Sequence, residues 1–316
     1  MLDILVITGP IYLIIGLGYA AGRLGVLDAP EVRALGKFVV KFALPALLFR
    51  ALSQPDVVQM FDARYLVAYG GASVFLLLAV YAYARRVRGS DAPYAALLGM
   101  GMSFSNSGFV GYPIVLQWIG PSAGVALALC MMVENLVMLP LTLTLAEGGG
   151  AHGDTWRKAL AKSLARILVN PMIVAILLGF AVALSRMRVP GVIAKTVDLL
   201  AGASTAVALF VIGGTLVGLE LRAVLRDVSA VAVGKLLVHP LVVFAVLQVA
   251  APADARLRAA AVAYAAVPML SIYPILGQSY GHERFCAGAL LLATLASFMT
   301  ITLILWTLGA VLGWVP

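Results

Sequence analysis

Long apolar runs dictate what this chain can fold into. Ten of them lie at about residues 4–22, 36–53, 65–84, 94–118, 122–146, 166–185, 194–217, 228–250, 258–280 and 284–314. The loops between them are short and marked by charge, Gly or Pro, as in Arg85-Arg86-Val87-Arg88-Gly89, Gly120-Pro121 and Arg186-Met187-Arg188. A helix needs about 20 apolar residues to cross a bilayer. Ten such helices use roughly 220 residues, which leaves no room for a separate soluble domain. Hydrophobic residues make up 63% of the 316 and charged residues 11%, with a mean hydropathy of +1.04. A soluble domain has about 45–50% apolar and about 25% charged residues. The expected fold class is therefore an all-α integral membrane protein with ten transmembrane helices.

The net charge of +8 points to membrane topology rather than to nucleic acid, because the basic residues sit in short loops. Cytoplasmic loops carry the excess of Lys and Arg. With the N-terminus outside, thirteen basic residues fall on the cytoplasmic side and seven outside: Arg50, Arg64, Arg186, Arg188, Lys195, Arg256 and Arg258. The reading is a multi-pass protein of the inner (plasma) membrane with both termini outside. The opening Met1-Leu2-Asp3-Ile4 lacks the basic start of a signal peptide, so the first run is expected to be a retained helix. Cys130 and Cys286 lie in apolar runs and are expected as free thiols.

The two halves of the chain match at one offset. Pro10 pairs with Pro171, Ile15 with Ile176, Gly18 with Gly179, and Tyr112-Pro113-Ile114 with Tyr273-Pro274-Ile275, all 161 positions apart. The polar stretch around Gly148-Gly149-Gly150 divides them. The expected organisation is a five-helix repeat at 1–146, a cytoplasmic linker at 147–165 and a second five-helix repeat at 166–316. Five spans is an odd number, so the second repeat is inverted, a common plan among secondary transporters.

Segments four and nine carry the candidate site. Segment four contains Ser105-Asn106-Ser107-Gly108-Phe109-Val110-Gly111-Tyr112-Pro113, and segment nine contains Pro268-Met269-Leu270-Ser271-Ile272-Tyr273-Pro274. Proline removes a backbone donor and clashes with the preceding turn, yet suits the first turn of a new helix. Two discontinuous helices are expected, each restarting near its Tyr-Pro and crossing the other at the midplane. Irregular backbone at that depth must be covered by protein or line a cavity. Each restarted half-helix would aim free N–H groups at one place, which favours a carboxylate. Candidate substrate-binding residues are Asn106, Ser107, Gly111, Tyr112, Pro113, Ser271, Tyr273 and Pro274. The plainer alternative is a pair of proline kinks with small residues for helix packing.

Four further residues are candidates for ion coupling. Glu134 and Asn135 lie inside segment five, where a carboxylate is costly and rarely idle. Lys235 and His239 share one face of segment eight. The alternatives are a structural pairing of Glu134 with Lys41 or Lys235, and a Lys235 that snorkels to the cytoplasmic end. Gly213-Gly214 reads as a close helix contact able to support dimer packing. Asp198 reads as a helix-start carboxylate near Lys195. No P-loop, His-Glu-x-x-His motif or Cys/His cluster is present, and His152, His239 and His282 are the three histidines. Neither an enzyme nor a metal or other cofactor is expected.

Several of these stretches, in this order, resemble the auxin efflux carrier family, the plant PIN exporters and their bacterial relatives. They are Lys41-Phe42-Ala43-Leu44-Pro45 in segment two, Asn170-Pro171 with Leu178-Gly179 in segment six, and Asp198 through Gly213-Gly214-Thr215-Leu216 in segment seven. Lys235 with His239-Pro240 is similar to the family's eighth helix. Asn106-Ser107 with Gly111-Tyr112-Pro113 is similar to its fourth. The resemblance implies a scaffold from segments one, two, six and seven, which would form a homodimer. A transport domain from segments three to five and eight to ten would move as an elevator. The partners implied are the lipid bilayer, a small organic anion such as malonate, and a proton or sodium ion. The Met269-Leu270-Ser271-Ile272 stretch departs from many relatives and argues against an aromatic, auxin-like substrate. The short linker points to a bacterial member. A sodium-coupled carrier of the bile-acid type and a non-transporting anion receptor are the competing readings.

Overall fold

A computed structural model describes residues 2–54, 62–147, 170–218, 225–250, 252, 254–311 and 313. The linker expected at 147–165, with His152 in it, lies outside the described residues apart from Glu147. Every regular element among the described residues is helical. In chain order these are α1 (Leu2–Arg23), α2 (29–52), α3 (Ala63–Arg86), α4 (Ala92–Ser103) and α5 (107–119). They continue with α6 (Ser122–Ala146), α7 (Pro171–Ser185), α8 (Gly191–Thr215) and α9 (Leu225–Leu247). The last are α10 (Ala255–Ala266), α11 (Tyr273–Gln278) and α12 (Glu283–Ala310).

Among the described residues, six of these helices are long and apolar enough to cross a bilayer: α1, α3, α6, α8, α9 and α12. The other four apolar segments are also helical, but none is one long apolar helix. The second carries Glu31, Arg33, Lys37 and Lys41 within α2. The sixth is a shorter apolar helix, α7. The fourth and ninth are each interrupted, as α4/α5 and α10/α11.

The helix starts follow local chemistry. Asp28 accepts from the Glu31 N–H at 2.8 Å while Glu31 Oε2 accepts from the Asp28 N–H at 2.7 Å, a capping box ahead of α2. Asp91, Asn170 and Asp254 cap α4, α7 and α10 in the simpler way. Prolines then shape the helices from inside. A proline leaves the carbonyl four residues earlier without its N–H partner, and the chain responds with a wider, π-helical turn. Such turns at 39–43, 107–111, 133–138 and 234–238 sit directly before Pro45, Pro113, Pro140 and Pro240.

The helices sort into two packed groups. α8 lies along both α1 and α2, and α7 packs on α2. In the second group α3 packs on α4, α6 on α4 and α10, α9 on α10 and α12, and α11 on α12. The groups meet where α2 touches α6, where α1 touches α5 and α12, and where the first turn of α5 touches α8. A clamp fixes one end of the second group: Asp227 at the start of α9 accepts from Arg88 Nη2 at 2.8 Å and from the Tyr94 hydroxyl at 2.6 Å.

Glycine sets the α1–α8 spacing. A Cβ on Gly213 would collide with the Ile15 carbonyl oxygen, and one on Gly18 with the Phe210 carbonyl oxygen. Gly214 faces Val32 of α2 in the same way. The Gly213-Gly214 pair is thus occupied by packing within the chain, not left free for a dimer contact. Gly202, in the same helix, has open space around it. Overpacking costs typically about 1–3 kcal/mol, and each kcal/mol moves a melting midpoint by roughly 2–4 °C in a larger domain. Gly213→Val is therefore expected to lower the detergent melting midpoint by several degrees, with Gly202→Ala neutral or slightly stabilising. Equal melting of the two variants would show that this approach does not limit stability.

Candidate functional site

Both interrupted segments open where the local sequence disfavours helix. α4 ends at Ser103, and Phe104 is extended at φ −92°, ψ 150°. Ser and Asn side chains compete for backbone hydrogen bonds and favour such exits, and Ser105-Asn106-Ser107 follows at once. In the other segment Pro268 forces the residue before it out of the helical region, and Val267 lies at φ −73°, ψ 160°. The sequence placed the first restart near Tyr112-Pro113. Helical turns resume earlier, at Ser107, as a π-helical turn, and Pro113 sits in the first turn of the α-helix that follows. α11 restarts at Tyr273 as expected.

The two breaks touch. The Asn106 N–H donates to the Pro268 carbonyl at 2.8 Å, and Asn106 Nδ2 donates to Ser271 Oγ at 2.7 Å. The Asn106 carbonyl accepts from the N–H groups of Val110 and Gly111, both at 3.0 Å. Asn106 is thus held by main chain on both sides, with its amide aimed at the second break. Phe104, Ser105, Asn106 and Ser107 are buried, while Ser271 and Pro274 are half-buried and Ile272 is exposed. The open side of the crossing belongs to the second break.

A buried polar network adjoins the crossing. Glu134 Oε1 accepts from Ser107 Oγ at 2.9 Å and from the Tyr69 hydroxyl at 2.9 Å. The Tyr69 hydroxyl stands 3.2 Å from Ser105 Oγ, and Lys235 Nζ donates to Ser105 Oγ at 2.9 Å. The same Nζ donates to the Ala265 carbonyl at 2.5 Å and lies 2.8 Å from His239 Nδ1. Three partners use all three ammonium protons. His239 Nδ1 is then the acceptor, so its Nε2 carries the proton and donates to Ser73 Oγ at 2.9 Å. Ser73 in turn donates to the Tyr69 carbonyl at 2.7 Å. Each member is at most 5% exposed. The snorkelling alternative for Lys235 fails, because its ammonium is sealed beside the first break.

The π-helical turns aim this network. Glu134 lies in the turn at 133–138, Lys235 in that at 234–238 and Tyr69 in that at 66–70. Isolated π turns are frequent at functional sites. Sequence reasoning missed Tyr69 and Ser73. The available signal was a Tyr and a Ser four residues apart on one face of an apolar run.

The remaining candidates separate from these two clusters. Asn135 is half-buried and returns its amide to the Met131 carbonyl at 2.8 Å, away from the network. The Tyr273 hydroxyl donates to the Leu97 carbonyl at 2.7 Å, which ties α11 to α4. Tyr112 is buried beside Arg50. Gly111 packs against Tyr264, whose ring would meet a Cβ there at 2.6 Å. Lys41 is exposed and takes no part. Among the described residues no group of three His, Cys, Asp or Glu side chains could hold a metal ion.

A family model described as membrane transport protein matches residues 5–305. A protein of Rhizobium meliloti (strain 1021) named "Putative malonate transporter" is 28% identical over 307 residues, covering 95% of each chain. The Escherichia coli (strain K12) "Uncharacterized transporter YfdV" is 28% identical over 215 residues, 66% of this chain and 67% of its own. Auxin efflux carrier component 2 of Arabidopsis thaliana is 24% identical over 152 residues, 48% of this chain and 23% of its own. With nearly its whole length matched, the chain belongs to the membrane transport protein family, that of the auxin efflux carriers, as a bacterial-type membrane transporter and not an enzyme.

Proposed function

We propose that the chain is a secondary carrier of a small organic anion, a mono- or dicarboxylate of malonate type, bound where the two breaks meet. The observation that supports this most is Asn106, buried in the first break with its amide turned to Ser271 of the second. Its Nδ2 group and the Ser271 hydroxyl are donors that a carboxylate can take over from each other. At the start of α11 the Tyr273 and Leu276 N–H groups donate to the Leu270 and Ile272 carbonyls and Pro274 has no N–H, which leaves the Ile275 N–H to add to them. α11 has only six residues, so it supplies that one N–H rather than a long macrodipole. Ser107 is engaged by Glu134 and Tyr273 by Leu97, so they serve the site by shaping it. Gly111, Tyr112, Pro113 and Pro274 hold the half-helices around it.

In this proposal the halves 1–146 and 166–316 are inverted repeats of five spans each, joined by a cytoplasmic linker. Both termini face outward from the inner membrane. Helices α1, α2, α7 and α8 form the scaffold and the homodimer contact. The helices from α3 to α6 and from α9 to α12 move as an elevator. The sorting of helices into these two packed groups supports that division. The relative named as a malonate transporter supports the substrate class.

Coupling is proposed to run through Glu134 and Lys235, with His239 attached to Lys235. They are an acid and a base joined through Ser105, Ser107 and Tyr69, and Ser107 adjoins Asn106 in the chain. A proton shared in this network would change the charge next to the bound anion, and so link proton and substrate movement.

Uptake of labelled malonate into sealed proteoliposomes tests the reading, with proton and sodium gradients imposed separately. The wild type should show saturable uptake driven by the proton gradient, and Asn106→Ala should lose it while keeping its melting midpoint. Unchanged uptake in Asn106→Ala would remove the site from the crossing. Dependence on sodium would favour the bile-acid type of symport, and binding without uptake a receptor. In the same assay Glu134→Gln should flatten the pH dependence of uptake, whereas Asn135→Ala should leave its shape intact. Superimposable profiles for Glu134→Gln and wild type would exclude Glu134 from coupling.

A further inference from the structure

A cavity of about 490 Å³ lies between the end of α2, the α7–α8 turn and the first turns of α8. It sits at the opposite ends of these helices from the linker and is separate from the crossing. Three guanidinium groups line it, from Arg50, Arg186 and Arg188, against one carboxylate, Asp198. Asp198 lies 3.7 Å from Arg50 Nη1. Its partner across the cavity is therefore Arg50, where the sequence suggested Lys195. Arg186 and Arg188 make no ion pair among the described residues. Both are exposed, so the cavity carries two arginines at its mouth with no ionic partner among the described residues.

The chain goes to some length to place them. Arg186 ends α7 at φ 53°, ψ 22°, the one non-glycine residue with positive φ among the described residues. Left-handed backbone is costly for a residue with a Cβ, and a glycine would serve the turn alone. The three arginines are also three of the seven basic residues on the membrane face that the charge count makes poor in them.

The rest of the wall is apolar, from Phe49, Val182, Met187, Val189 and Val197. Met187 of this wall is 69% exposed, and Leu184 and Val192, close by in the chain, are 67% and 83% exposed. Large exposed apolar side chains of this kind suit contact with lipid tails. A polar small molecule has no use for such side chains, whereas an amphipathic anion uses both parts. Arginine forks match phosphate oxygens two at a time.

We infer that this cavity is a binding site for the phosphodiester head of an anionic phospholipid. Arg186 and Arg188 hold the oxyanion, Arg50 turns between it and Asp198, and the acyl chains leave across Met187 and Val192. Because Arg50 also lies beside Tyr112 of α5, an occupied cavity would act on the contact between the two helix groups. The inference is independent of the substrate assigned to the crossing.

Native mass spectrometry in non-ionic detergent reads the bound lipid directly, with phosphatidylglycerol, phosphatidylcholine, inorganic phosphate and malonate as separate probes. Phosphatidylglycerol should be retained and phosphatidylcholine should not. The double variant Arg186→Gln/Arg188→Gln should weaken retention at least about tenfold, since it removes both guanidinium forks that hold the oxyanion. Lys195→Gln/Arg256→Gln removes the same charge outside the cavity and should retain the lipid as the wild type does. Equal loss in both double variants, or none in either, overturns the site. Retention of phosphate or malonate in place of the lipid, lost with the two arginines, overturns the lipid in favour of a soluble anion. Measuring Asn106→Ala alongside keeps this test apart from that of the crossing, because its lipid retention should equal that of the wild type.

Discussion

The hydrogen bond from the Asn106 N–H to the Pro268 carbonyl is the contact on which the arrangement depends. Two helices are interrupted in a medium without water, where an unsatisfied backbone group costs several kcal/mol. Neither break can be repaired within its own segment, because Pro268 has no N–H and the turns beside Ser105 are unwound. Each break therefore supplies what the other lacks. Helical segments far apart in the chain are thereby fixed to one point, and the side chains around it inherit fixed directions. Asn106 aims at Ser271, Ser107 at Glu134 and Ser105 at Lys235 because their backbone is no longer free to turn.

Proline explains the polar network as well. Pro140 and Pro240 cannot donate to the carbonyls of Leu136 and Leu236, and the π-helical turns that absorb the loss contain Glu134 and Lys235. A π turn shifts its side chains around the helix axis relative to a regular helix, and here both are buried. Once inside, neither charge can be left unpartnered, since breaking a buried ionic network costs about 3–5 kcal/mol. Full use of the three ammonium protons of Lys235 and the run through His239 and Ser73 to the Tyr69 carbonyl meet that requirement.

The broad features were legible in the sequence because each rests on a local rule. Apolar length announces membrane helices, and Val267-Pro268 announces an extended residue. Asn106 was legible as a polar residue among small ones. What local rules cannot carry is direction. Tyr273 looked like a ligand because it brings a hydroxyl to the second break, yet that hydroxyl is spent on the Leu97 carbonyl. The snorkelling alternative for Lys235, a coupling candidate, rested on its place near a helix end. Its fate was decided by Ala265 and Ser105, which are 30 and 130 positions away in the chain. Tyr69 and Ser73 drew no notice, since hydroxyls in an apolar run often bond their own helix, as Thr142 and Thr294 do here.

The two polar regions of the molecule differ in a way that follows from how each treats charge. Around the crossing, a full set of hydrogen bonds ties each titratable side chain to named partners, so a proton or anion arriving there must displace or share an existing bond. That is the condition for coupling, because binding then changes the network. At the far ends of α2, α7 and α8 the arginines outnumber the single carboxylate, and two have no ionic partner among the described residues. An anion there pairs with exposed arginines without breaking an existing ion pair, which suits stable occupancy rather than turnover. Arg50 belongs to both situations, paired to Asp198 on one side and beside Tyr112 on the other. It is the residue through which a resident anion at the edge would be felt by the helices that carry the crossing.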